Sequence, residues 1–200
     1  MQSKLASTQV KIHDLIQTRW SPRAFDPDQP VNQNDVLALL EAARWAASCF
    51  NDQPWRFIIC DKATDEGAWQ QAFATLVEKN QRWAKNAPVL ILSVAMDHFN
   101  HNGQPNRWAM YDTGAASASL CLQATALGLC VHQMGGFDVD LARKTFKLPD
   151  HCQPMAMMAV GYQAEADVLD DDFKAAEIAE RSRVALSERF YAGFWGNAIE

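Results

Sequence analysis

Apolar residues recur along this chain in two rhythms, and their alternation lays out the elements. Helical spacing begins at 9–18, where Ile12, Leu15 and Ile16 share one face. A second helix follows the turn D-P-D-Q-P at 26–30; Asn32 or Asn34 caps it, and its apolar face is Val36, Leu39, Leu40 and Ala43. Residues 55–60 read as a short strand, and a helix over 67–80 carries Trp69, Phe73, Leu76 and Val77. The run P-V-L-I-L-S-V-A at 88–95 has no polar break longer than one serine, which predicts a central strand buried on both faces. A polar stretch rich in turn formers occupies 97–107. Beyond it, the Ala/Ser/Leu-rich segment 108–127 is a helix that Gly128 ends. A strand at 129–134 leads into Gly135-Gly136, a short helix covers 138–146, and a strand at 155–160 closes on Gly161-Tyr162. The remainder is acidic and then becomes a helical, basic tail. No repeat, low-complexity block or linker divides residues 1–200, so a single domain is expected. The order predicts an α+β sandwich with one mixed central sheet and helices on both faces.

Composition narrows the class. Two hundred residues with 48% apolar content suit one core. The net charge is −6, and the lysines and arginines form no stripe, which argues against a nucleic-acid surface. No apolar run reaches the length of a membrane span, and the N-terminus shows no signal-peptide pattern. The five cysteines are odd in number, scattered, and without C-x-x-C, as expected for reduced thiols in the cytoplasm. Seven tryptophans are many for this length, and some should cover a ligand or a subunit partner.

Two segments carry candidate chemistry. In R-W-S-P-R-A-F at 19–25, Pro22 fixes its own φ and pushes Ser21 out of the helical region. The backbone therefore runs extended, and Arg19, Ser21 and Arg23 project to one side. Their spacing suits a long anionic ligand gripped at several points. In A-A-S-C-F-N-D-Q-P-W at 46–55, Ser48, Asn51 and Gln53 stand between a helix and a strand, where helix capping and turn formation compete with a ligand role. Gly135 and Gly136 let backbone N–H groups come close to a flat ring, or simply make a turn. No G-x-G-x-x-G or G-x-x-x-x-G-K-[ST] is present. His98 and His101 form H-x-x-H without a third ligand pattern, so no metal site is expected. Cys130 and His132 alternate on a strand without an acidic cue, a poor fit to a Cys–His hydrolase.

With these residues in view, the chain resembles the nitroreductase family of flavin mononucleotide (FMN) enzymes. The resemblance rests on four motifs in order: R-W-S-P-R-A-F, the S-C-F-N-D-Q-P-W segment, M-G-G-F-D at 134–138 and R-S-R at 181–183, together spanning about residues 10–190. It implies an α/β/α nitroreductase-like sandwich and a homodimer with flavin sites at the subunit boundary. It further implies NADH or NADPH as donor, with hydride passing through flavin N5 to nitroaromatics or quinones in ping-pong turnover. The residues it places on the cofactor are Arg19, Trp20, Ser21, Arg23, Arg181 and Arg183 toward the phosphate, ribityl and pyrimidine. Ser48, Cys49, Asn51 and Gln53 line the ring, often from the second subunit; Asn80 lies near ribityl or ring, with Arg82 beside it. Gly135 and Gly136 face N5. Family members often carry Glu where Gly135 stands, so a side chain is missing here while the backbone donor remains. Reductive dehalogenation on the same scaffold, and a non-enzymatic FMN-binding or redox-sensing module, share every one of these motifs.

Overall fold

The computed structural model describes residues 4–199. Its centre is a four-stranded sheet of β1 (Trp55–Asp61), β2 (Val89–Met96), β3 (Cys130–Met134) and β4 (Cys152–Gly161), in spatial order β1-β2-β4-β3. The helices are α1 (Asp14–Thr18), α2 (Gln33–Arg44), α3 (Glu66–Ala74), α4 (Glu78–Ala84), α5 (Ala109–Ala126), α6 (Val139–Thr145) and α7 (Asp171–Ile178). Every strand pair among the described residues is antiparallel, with Ile59 opposite Ile91, Ile91 opposite Met158, and Val131 opposite Val160. The α+β class is as expected, but the sheet is not mixed. Helices between strands suggest a parallel sheet, whereas here β4 inserts between β2 and β3 and every adjacent pair runs antiparallel.

β2 explains why two layers of helix are needed. Successive side chains on a strand point to opposite faces. Leu90, Leu92 and Val94 enter one core with Trp69, Trp83 and Met157, whereas Val89 and Ile91 enter the other with Leu39, Leu120 and Met158. Burying each such side chain contributes about 1.5–3 kcal/mol, so β2 anchors both layers. In α2, the Asn32 side chain accepts from the Asn34 N–H at 2.8 Å, and Val36, Leu39 and Ala43 are buried, as the periodicity predicts. Gly128, at φ 75°, ends α5.

Three expected elements are shorter or broken. The first helix is only Asp14–Thr18, started by the His13 side chain accepting from Leu15 N–H. The helix over 67–80 is two helices with a gap at 75–77. In that gap Leu76 bridges Phe137, and the Asp138 N–H donates to the Thr75 carbonyl at 2.7 Å. After α7, the described tail holds one short 3-10 turn (Leu186–Glu188) and a bridge between Tyr191 and Ala198, not a long helix.

Candidate functional site

The segment 19–25 is held from three sides. Buried Phe25 bridges Gln163 just beyond β4. The Glu177 carboxylate on α7, 2% exposed, accepts from the N–H groups of Arg23 at 3.0 Å and Ala24 at 3.2 Å. His132 on β3 places Nδ1 2.9 Å from the Pro22 carbonyl. Arg19 Nη1 reaches Ser21 Oγ at 3.4 Å, so those two side chains share a side, while the Arg23 guanidinium lies over the Phe173 ring, 5.9 Å from its centre. Trp20 lies under Lys4, whose Nζ is 4.5 Å from the ring centre.

Cations from both ends of the chain meet here. Arg181 donates Nη1 to the carbonyls of Lys4 (2.6 Å) and Gln17 (3.0 Å), and Nη2 to that of Arg19 (3.0 Å). Burial lowers its pKa from the usual guanidinium value, and the nearby charges of Arg19 and Arg183 lower it further. The charges of Arg19 and Arg183 thus both act on Arg181, and among the described residues no carboxylate forms an ion pair with any of the three or with Arg23. Arg181 is spent on carbonyls and acts as a strut; Arg19 and Arg183 keep donors for a ligand. Arg82 is occupied too: its Nε and Nη groups bind Asp170 and Asp172 at 2.8–3.0 Å.

The same strand that carries His132 delivers the glycine pair three residues later. The Val77 N–H and the Asn80 Nδ2 both donate to the Gly136 carbonyl, at 3.2 and 2.9 Å. Asn80 thus spends its amide nitrogen on the turn and retains Oδ1. Neither glycine has a positive φ, so their conformation is open to any residue. Their surroundings differ: a Cβ on Gly136 would sit 2.7 Å from Asn80 Nδ2 and 3.0 Å from Val77 Cγ2, while one on Gly135 would meet nothing within 4 Å. Gly136→Ala should therefore eject Asn80 and cost about 1–3 kcal/mol by overpacking. Gly135→Ala should leave the melting midpoint within about 1 °C, since an exposed methyl changes stability by a few tenths of a kcal/mol. Thermal unfolding of the two variants side by side is the measurement; equal midpoints would refute the steric account.

Ser48, Cys49, Asn51 and Gln53 form a strained turn. Phe50, Asn51 and Gln53 all have φ between 52° and 54°, a region that non-glycine residues rarely enter. Three anchors over-determine it: Ser48 Oγ accepts from Gln53 N–H at 3.0 Å, Asp112 on α5 accepts from Cys49 N–H at 3.0 Å, and Asp52 accepts from Asn100 N–H at 2.8 Å. Such strain persists where the surroundings demand it, commonly at ligand sites. Yet the turn precedes β1, while the arginines and glycines sit by β3, at the other edge of the sheet. Three strand spacings separate the edges, roughly 14 Å. Within one chain the structure does not bring these two groups together.

Sequence reasoning missed Glu177, Asp112 and the role of His132. Glu177 is one carboxylate in an acidic helix, and Asp112 one in a small-residue helix; nothing local marks either as buried. Burial pushes the Cys60 and Cys130 thiols up to about 11 and raises Cys121, which disfavours their thiolates.

The four-stranded antiparallel sheet and the helices that cover both of its faces define an α+β fold. A family model described as Nitroreductase family matches residues 16–162, and the chain belongs to that family. A solved structure of an oxidoreductase containing FMN is similar over 98% of this chain and 99% of its own, at 36% identity and a TM-score of 0.91. An NADH dehydrogenase of Thermus thermophilus is 30% identical over 74% of this chain and 84% of its own. The major NAD(P)H-flavin oxidoreductase of Aliivibrio fischeri is 37% identical over 40% of this chain and 37% of its own. Among the described residues no helix is long and apolar enough to cross a membrane.

Proposed function

We propose that this chain is an FMN-dependent NAD(P)H oxidoreductase that reduces small, flat, electron-poor acceptors such as nitroaromatics and quinones. The observation that carries this reading is the convergence of Arg19, Arg181 and Arg183 with no carboxylate partner among the described residues. Like charges crowd at a cost unless an anion shares them, and a phosphate dianion fits the guanidinium fork. The family's solved relative contains FMN, which supports the same ligand.

Bound FMN would supply the hydride carrier, accepting at N5 from NADH or NADPH and passing electrons to the acceptor in ping-pong turns. The chain's own part is binding and orientation. Arg19 and Arg183 hold the phosphate, Arg181 fixes the carbonyl frame behind them, and Ser21 and Arg23 lie along the ribityl path. Gly135, exposed and without a side chain, offers its N–H toward the ring edge. Ser48, Cys49, Asn51 and Gln53 belong to the ring pocket of a partner subunit in a homodimer, because in their own chain they lie across the sheet. The five free cysteines agree with a cytoplasmic protein.

Purified protein should be yellow, and NADH or NADPH should bleach it without oxygen. A preparation that stays colourless in excess FMN would overturn the cofactor assignment. A yellow one that neither nicotinamide reduces would overturn the enzyme and leave a flavin-binding module.

A further inference from the structure

The H-x-x-H residues part company in the fold. His101 turns toward Asp52, with Nδ1 3.8 Å from Oδ1, and its ring meets Phe50 edge-on and Phe99 at a tilt. His98 turns the other way. Its Nδ1 is 2.5 Å from Asp97 Oδ1, and its ring meets that of His151 edge to face, centroids 4.8 Å apart. The candidate donor atoms of Asp97, His98 and His151 all lie within 4.8 Å of one another.

We propose that Asp97, His98 and His151 form a site for a divalent transition-metal ion such as Zn²⁺ at the base of the 97–107 loop. Two imidazoles and one carboxylate are donors that zinc and its neighbours favour over magnesium or calcium. Zinc bonds are about 2.0–2.2 Å, so donors on one ion stand about 3.4 Å apart, and the widest present separation of 4.8 Å must contract by roughly 1.4 Å. Side-chain rotation can do this, because His98 is 39% and Asp97 49% exposed.

The backbone beneath is braced. The Asp97 N–H donates to the His151 carbonyl at 3.4 Å, and the Asn106 N–H to the Asp97 carbonyl at 2.7 Å. Arg143 brackets His151 by donating to the carbonyls of Pro149 and Cys152. The adjacent Cys152 thiol is buried and donates to the Pro149 carbonyl, so it is not a ligand. A bound ion would clip the loop's base to the entry of β4. That loop also carries Asn100 and His101 onto Asp52 beside the strained turn. The site is independent of the flavin reading.

Calorimetric titration of zinc chloride into EDTA-treated holoprotein tests this. About one equivalent per chain should bind. His98→Ala and His151→Ala should each weaken binding more than about tenfold, and Asp97→Asn by about ten- to a hundredfold. His101→Ala and Cys49→Ser should leave it unchanged. On the unaltered protein, zinc should shift two of the five imidazole signals in a proton NMR spectrum, those that His98→Ala and His151→Ala remove. An absence of saturable binding, or binding that survives both histidine substitutions, would overturn the proposal.

Discussion

Arg19→Ala and Arg183→Ala should each purify with little flavin. A charge-assisted hydrogen bond to a phosphate is worth about 1.5–3 kcal/mol, which weakens FMN binding about ten- to a hundredfold per arginine lost. Arg19→Lys should fall between, because an ammonium keeps the charge and loses the paired donors. Arg181→Ala should behave differently. Its guanidinium satisfies the carbonyls of Lys4, Gln17 and Arg19, so removing it should lower the melting midpoint as well as flavin content. The measurement is the ratio of flavin to protein absorbance, with FMN titrated back by fluorescence quenching. If Arg19→Ala and Arg183→Ala retain full flavin, the cationic cluster is structural and the phosphate lies elsewhere.

How much of this was legible beforehand depends on the range of the interaction that decides each feature. α2, β2 and α5 follow from spacing and composition within a dozen residues, and the structure reproduces them closely. The break at 75–77 does not, because it exists only to pair with 136–138, sixty residues away. The α3–α4 sequence reads as one amphipathic helix until that loop competes for its backbone. Strand direction is equally non-local, which is why the sequence pattern points to a mixed sheet where the structure has an antiparallel one.

The candidate site divides in the same way. Pro22, a local constraint, predicts Arg19, Ser21 and Arg23 on one side; Arg19 and Ser21 do meet, while the Arg23 guanidinium lies over the Phe173 ring. That Arg181 and Arg183 join them from the far end came from the family resemblance, not from any spacing. Nothing in the sequence separates half-buried Arg181, which binds three distant carbonyls, from exposed Arg183, whose Nη1 donates to the carbonyl of its neighbour Ser182. Arg82 was a candidate neighbour of the site; two aspartates ninety residues on claim it. The H-x-x-H spacing suggested a pair, yet the backbone turn between them sends each ring to a different partner.

His132 links β3 to the arginine segment through the Pro22 carbonyl, and it carries the largest expected pH effect. Burial pushes its pKa down to about 4 from the usual 6.5, the hydrogen bond to the Pro22 carbonyl partly opposes this, and the charge of Arg23 adds to the lowering. The folded state therefore holds a neutral ring against Trp83, at 4.6 Å between ring centres, while the unfolded chain protonates it below pH 6.5. Between pH 6.5 and 4 the unfolded state binds more protons, so stability is complete above about 6.5 and falls as the pH drops through that window. A shift of this size corresponds to a loss of up to about 3 kcal/mol by pH 4. His132→Asn keeps a donor for the Pro22 carbonyl and removes the titration. Urea unfolding at pH 7.5, 6, 5 and 4, at matched flavin loading, should show the wild type losing more stability than the variant across the window. Because Pro22 sits between Ser21 and Arg23, the wild type should also release flavin more readily than the variant as the acid limit is approached. Parallel stability profiles for the two proteins would mean that His132 is already protonated in the fold, and that the Pro22 contact is held by an imidazolium instead.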